Sequence, residues 1–291
     1  MTPPAGAGRE PRGRSTRSTA KSSRPRVSAV IPAKNEARNI GWVIERIPLL
    51  VDEVVLVDGV STDQTVDVAQ ALRPDVVVVK DNRPGKGVAL RAGFEAASGD
   101  YVVMLDADGS MDPLEIPRFV ELLDQGADLV KGSRFMRGGG TADMSPLRDV
   151  GNRGLLSIAN ALFGASHTDL CYGYAAFRRR AILGLGLTAM GFEIETQLFL
   201  RALRNGLSVV EVPSFESPRR SGTSNLHTFR DGWRVLRTIV RERVTAESSA
   251  TGVALDVFDE GIEVFSAEPS AVGRFPTGAG PSAVPVETVV E

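Results

Sequence analysis

Residues 99–111 read GDYVVMLDADGSM. Tyr101, Val102, Val103, Met104 and Leu105 form a short apolar run bounded by turn formers, the pattern of a strand buried within a parallel sheet. Asp106-Ala107-Asp108 and a glycine follow at its C-terminal end, where open α/β sheets bind ligands. Two carboxylates in such a crevice need counter-charge, because a desolvated, unpaired charge is costly. A hard divalent cation bridging phosphate oxygens meets that need, since magnesium-type ions take one or two carboxylates plus phosphates. A pair of turn or capping aspartates has the same sequence, so the rest of the chain decides between the two readings.

Outward from this stretch, strands and helices alternate at short spacing. Strands are expected at 27–32, 53–57, 75–79 and 127–131, with helices through Leu50, through Leu72, over 86–97 and over 112–126. Asn35 or Asn39 is expected to cap the first helix, and Ser61, Thr62 or Asp63 the second. The alternation is the signature of βαβ units and a parallel central sheet flanked by helices. Polar groups fall just after the strands: PAKNE at 32–36, DGVSTD at 58–63, RPGKG at 83–87 and DADG at 106–109. They therefore gather on one edge of the sheet. Glycines around Lys86 let the backbone approach a ligand, and the lysine supplies a point charge suited to phosphate. The spacing does not match a P-loop, and no GxGxxG opens a helix after a strand, so neither an ATPase nor a dinucleotide oxidoreductase is expected.

The composition narrows the class. With 291 residues, 42% hydrophobic and 24% charged, the chain can build one large core or two modest ones. Its net charge of −2 is unevenly spread. Arg9, Arg12, Arg14, Arg17, Lys21, Arg24 and Arg26 make residues 1–26 a basic arm without apolar periodicity, expected to be disordered. Residues 247–291 are an acidic, largely disordered tail with one short strand near 253–265. The middle is near neutral, which argues against a nucleic-acid partner. Cys171 is the single cysteine, which excludes an internal disulfide and fits a reducing cytoplasm. No window holds about 18 consecutive apolar residues, and the basic arm leads into no apolar stretch, so neither a membrane-spanning helix nor a secretory signal is expected.

Past Lys131 the alternation breaks. Residues 132–144 read as a mobile glycine-rich loop, 147–163 as a helix, 167–179 as a turn and a strand, 192–205 as a helix and 207–212 as a strand. The last helix, over 228–243, carries Phe229, Trp233, Leu236 and Val240 on one stripe and Arg230, Arg234, Arg237 and Arg241 on the next. Either the apolar stripe packs on the sheet, or the helix lies on an anionic membrane surface. Cys171 reads as a buried small hydrophobe, because neither His167 nor His227 stands at a diagnostic spacing from it.

Taken together and in order, PAKNE, VDGVSTDQT, GKGVALRAGF and LDADGS resemble the family 2 glycosyltransferases over 27–243, above all the branch of dolichyl- and polyprenyl-phosphate sugar transferases. The resemblance implies a GT-A fold, an α/β Rossmann-like domain over 27–246. Within it, 27–131 would form the nucleotide-sugar half and 132–246 the acceptor half. It also implies a nucleotide-diphosphate sugar donor (UDP- or GDP-linked), magnesium or manganese, and inversion at the anomeric carbon. Residue by residue, Pro32, Ala33 and Glu36 would line the base and ribose site and Asp58 the base edge. Lys86 would meet the diphosphate, Asp106 the donor sugar or ribose, and Asp108 the metal, with Asp106 beside it. The family often has two adjacent aspartates in the second motif; here Gly59 and Val60 follow Asp58, which leaves uracil and guanine both open.

The second half is similar to the family's acceptor side. TDLCYGYAAFRR at 168–179 looks like its Asp-x-x-x-Gly-aromatic segment, making Asp169 the candidate catalytic carboxylate. RRSGTSN at 219–225 resembles an Arg-x-x-Gly-x-Ser stretch, making Arg219 and Ser224 candidate phosphate ligands; Asn225 stands where a lysine is common. Either Glu193 or Glu195 faces the site from the 192–205 helix, or both are exposed helical carboxylates. The expected activity is hexosyl transfer to a polyprenyl phosphate, with peripheral membrane contact. The alternatives are a soluble transferase acting on a glycan or small molecule, and a nucleotide-sugar-binding protein without turnover.

Overall fold

The computed structural model describes residues 24–223, 227–248 and 263–265. In chain order the strands are β1 (Val27–Ala33), β2 (Glu53–Asp58), β3 (Val77–Lys80), β4 (Tyr101–Met104), β5 (Leu129–Ser133), β6 (Gly140–Thr141), β7 (Ala175–Arg178), β8 (Val209–Pro213), β9 (Phe215–Glu216) and β10 (Glu263–Phe265). The helices are α1 (Ile40–Glu45), α2 (Thr65–Leu72), α3 (Lys86–Ala96), α4 (Ile116–Asp124), α5 (Pro146–Phe163), α6 (Arg179–Leu183), α7 (Ile194–Arg204) and α8 (Thr228–Ser248).

Among the described residues, one sheet runs in the order β10-β3-β2-β1-β4-β7-β5-β8. β3, β2, β1 and β4 are mutually parallel, as the alternation of strands and helices requires. β7 enters antiparallel between β4 and β5, while β8 runs parallel to β5. Alternate strand residues feed two cores. Val54 and Leu56 face the side covered by α1, α2 and α4. Val55 and Val57 face the side covered by α3, α5, α7 and α8. Gly93 lets α3 lie close on the sheet, since a Cβ there would run into Val30 and stand 2.8 Å from Val57 Cγ2.

Several local expectations are corrected. α1 stops at Glu45, short of Leu50, because Pro48 disfavours helical backbone at the residue before it. Neither Asn35 nor Asn39 caps α1 through its side chain. Asn35, at φ 58°, instead accepts a hydrogen bond from Thr62 N (2.8 Å) and so ties the first loop to the second. The glycine-rich stretch after β5 is pinned, with β6 pairing in parallel with β9. In α8 the packed face is Asp231, Val235, Ile239 and Glu242, and Phe229, Trp233 and Val240 stay exposed. Glu242 is fully buried yet satisfied by Gln197, Arg201 and Arg204 of α7, so α8 is riveted to α7 by charge as well as by packing.

Candidate active site

The parallel strands end together, and their loops wall one cavity of about 570 Å³. Pro32, Ala33, Lys34 and Glu36 enter from β1, Gly59 from β2, and Asp81 with Asn82 from β3. Lys86 enters from the first turn of α3, and Asp106 and Asp108 from the loop after β4. Arg134, Glu195, Glu216 and Arg219 close the opposite side, with the N-terminal parts of α5 and α8.

Three clusters of opposite charge organise this cavity. In the first, Lys86 Nζ lies 2.5 Å from Asp106 Oδ1 and 2.7 Å from Glu195 Oε1. Burial opposes the charge on Lys86, but the pull of the two carboxylates outweighs it and raises the lysine pKa. Burial pushes the Asp106 carboxyl above the ordinary range; Lys86 pulls it down, while Asp108 and Glu195 add to the rise. Two carboxylates thus share one ammonium. Gly173 makes the arrangement feasible, because a Cβ there would collide with Glu195 Oε1 and stand 3.1 Å from Lys86 Nζ. Gly85, at φ 120°, performs the matching task on the other side by letting the Met190 carbonyl close on the loop.

The second cluster is centred on Arg134. Its Nε and Nη2 donate to Asp169 Oδ2 (2.7 Å) and Oδ1 (2.9 Å), and its Nη1 donates to Glu216 Oε2 (3.1 Å). Asn152 Nδ2 also donates to Asp169 Oδ1 (3.2 Å). Burial would raise the Asp169 pKa, but Lys131 and Arg134 overcome it and hold the carboxylate below its usual range. Asp169 itself is fully buried and stands behind the cavity wall, whereas Arg134 and Glu216 are part of that wall.

In the third cluster, Arg219 donates from Nη2 to Glu36 Oε1 and from Nη1 to Asp108 Oδ2 (3.3 Å). Its Nε donates to Ser221 O (2.7 Å), and Arg220 N donates to Asp108 O (3.1 Å). The Arg220 guanidinium stacks over Trp42, 4.7 Å from the ring centre. The basic loop is therefore laid across the DxD turn.

Of the residues singled out from the sequence, Pro32, Ala33, Glu36, Lys86, Asp106, Asp108 and Arg219 meet in one cavity. Asp58 does not line it; its buried carboxylate turns back to accept from Ser61 N (3.1 Å), and its neighbour Gly59 takes the wall position. Ser224 lies outside the described residues. Sequence reasoning did not single out Asp81, Arg134 or Glu216. Asp81 and Arg134 each stand just past a strand end, the same signal that found Asp106. Among the described residues, no three His, Cys, Asp or Glu side chains cluster as metal ligands. Asp108 is a wall carboxylate that would hold a hard cation, its shell completed by ligand oxygens, in exchange for its present contact with Arg219.

Known proteins give the same picture. Residues 28–185 match Glycosyl transferase family 2. The chain is 33% identical over 254 residues to the glycosyltransferase AglJ of Haloferax volcanii, covering 80% of each chain. It is also 33% identical over 214 residues to the polyprenol monophosphomannose synthase of Mycolicibacterium smegmatis, covering 69% of this chain and 81% of that one. Among solved structures, the glucosyl-3-phosphoglycerate synthase of Mycobacterium tuberculosis, in complex with Mn2+, UDP-glucose and phosphoglyceric acid, superposes with a TM-score of 0.61 at 29% identity. It covers 76% of this chain and 80% of that one. A family match that spans the same strand-end motifs whose loops build the cavity makes this chain a member of glycosyltransferase family 2.

Proposed function

We propose that this glycosyltransferase moves a hexose from a UDP- or GDP-sugar to a polyprenyl phosphate, with inversion at the anomeric carbon. The observation that carries the reading is the division of one cavity. Glu36, Asp81, Asp106 and Asp108 line the sheet edge with Lys34, Arg83 and Lys86, and five arginines line the facing side beside Glu195 and Glu216: Arg134, Arg148, Arg219, Arg230 and Arg234. An edge that pairs carboxylates with ammonium groups suits a metal-bound diphosphate, and arginine forks suit an acceptor phosphate.

In this reading Pro32, Ala33 and Glu36 hold the base and ribose, with the base edge met near Gly59 and Asp81. Lys86 contacts the diphosphate, and Asp106 orients the sugar. Asp108 would hold a magnesium or manganese ion, which offsets the charge building on the departing nucleoside diphosphate. An acceptor phosphate oxygen attacks the anomeric carbon as the bond to the diphosphate oxygen breaks, and the electron pair leaves with the nucleoside diphosphate. An ionised phosphate has no proton to lose, so the reaction needs no general base. The burial of Asp169 behind the wall supports this, because its carboxylate is spent on Arg134. Asp169 then positions Arg134, and Arg219 with Ser224 receives the phosphate. No helix among the described residues is long and apolar enough to cross a membrane, so the lipid would be met by peripheral contact.

A second reading, a small phosphorylated acceptor, is favoured by the phosphoglyceric acid bound to the structural neighbour. Both are tested by incubating purified protein with radiolabelled UDP- or GDP-hexose, manganese and either polyprenyl phosphate or phosphoglycerate. Label in the organic phase supports the lipid acceptor. Label confined to a water-soluble product supports the small one. Donor binding without transfer to any acceptor supports a binding protein instead.

A further inference from the structure

A second cavity, of about 760 Å³, adjoins the first at Pro84, Gly85, Gly191 and Arg234. Its walls are the turn before α3, the 188–191 loop, Glu193, Gln197 and the flank of α8 that bears Arg234, Arg237, Thr238 and Arg241. We infer that this cavity is a headgroup site for an anionic glycerophospholipid. It deepens the peripheral contact proposed above and rests on it for the choice of a lipid.

The charge is mostly positive, with three arginines against Glu193 as the one carboxylate in the wall. Among the described residues, neither Arg237 nor Arg241 meets a carboxylate, and the only one within ion-pair distance of Arg234 is Asp231, at 3.5 Å. A lone solvated arginine means little, but three converging on one concavity build a positive field that draws an anion. Glu193 adds a second signal. Its Oε1 accepts from Met190 N (3.3 Å) and Gly191 N (3.0 Å), while its Oε2 is buried and has no hydrogen-bond partner among the described residues. A buried acceptor left unmade is costly, and a ligand hydroxyl satisfies it. A phosphate with a hydroxyl close by is the chemistry of a glycerophosphate headgroup.

The surroundings select a lipid over a free phosphate ester. At about 100° per residue, the arginine row lies between the packed face of α8 and an exposed apolar row. That row holds Phe229 (81% exposed), Trp233 (66%), Val240 and Val244. α5, which packs on α8, exposes Leu147, Val150, Ile158 and Leu162. Tryptophan and arginine side by side on an amphipathic helix match a headgroup boundary, with the rings at the acyl edge and the guanidinium groups among the phosphates.

The test uses the full chain with vesicles of phosphatidylcholine, with and without phosphatidylglycerol, and no acceptor, so its failure leaves the transfer reading untouched. Co-sedimentation is expected only with phosphatidylglycerol. The Arg237→Gln/Arg241→Gln variant should bind about thirtyfold more weakly, from the usual worth of two surface arginines at an anionic leaflet. The equally charged control Arg118→Gln/Arg180→Gln should match wild type, and donor-induced thermal stabilisation should be retained in both variants. Equal sedimentation with neutral vesicles, or equal loss in both variants, overturns the site. So does calorimetric binding of glycerol 3-phosphate without any binding to vesicles, which assigns the cavity to a soluble ester.

Discussion

Arg219 Nη1 stands 3.3 Å from Asp108 Oδ2, so the arginine expected at the acceptor phosphate is the counter-ion of the carboxylate expected at the metal. A guanidinium and a divalent ion cannot both hold that oxygen at full strength. Arg219→Gln is therefore expected to bind manganese with UDP more tightly than wild type, read by titration calorimetry. Hexosyl transfer should fall by about tenfold or more through loss of the phosphate contact. Unchanged manganese affinity would show that the pairing does not compete.

Lys86, Glu195 and Gly173 act as one unit. Gly173→Ala drives a methyl group into Glu195 Oε1. The expected result is a loss of about tenfold or more in kcat/KM, at the scale of a displaced charge-assisted contact. Glu195→Asp withdraws the carboxylate by one methylene, so the double variant should recover part of the loss in a mutant cycle. Strict additivity of the two changes would refute the coupling.

Asp169→Ala leaves Arg134 with Glu216 as its only carboxylate and should destabilise the fold by about 3–5 kcal/mol, measured by urea denaturation. The pH dependence has a defined sign. The Asp169 pKa is depressed in the folded protein, so its contribution is present above the unfolded value of about 3.9 and is lost as pH falls through the folded one. In Asp169→Asn the loss of stability below about pH 4 should be shallower than in wild type.

Cys171 is half-buried in the wall of the main cavity rather than fully buried as expected, and desolvation there, with Asp169 and Glu195 nearby, pushes its thiol up to about 12. Only the thiolate alkylates, so iodoacetamide at pH 8 should label Cys171 at least about a hundredfold more slowly than free cysteine. Urea should restore the ordinary rate. Rapid labelling of the native protein would contradict the assignment.

Asp106 and Asp108 were legible because four strand-end motifs stand in register, whereas the acid pair alone also fits a plain turn. Lys86 was legible from its glycines. Its partner Glu195 was not, because the two meet across 109 positions and either Glu193 or Glu195 fitted the helical pattern. The α8 surface shows a different limit. Periodicity found Phe229, Trp233, Leu236 and Val240, yet the core took Val235 and Ile239 together with Asp231 and Glu242. Those two acids look solvent-facing until Gln197, Arg201, Arg204 and the Asp231 contacts are seen. Asp169 was found by its motif, but no local pattern announces that Arg134 and Lys131 surround it.

The reversed strand β7 has a consequence for how the chain is made. Among the described residues, β5 joins the sheet only through β7 and β8, both of which lie later in the sequence. On the ribosome it emerges beside the four parallel strands β1 to β4 and must wait, with its edge groups unpaired, for its neighbours to be translated. A nascent chain halted just after residue 133 should therefore carry a sticky edge, and slowing elongation between β5 and β7 should lengthen the interval in which it can aggregate.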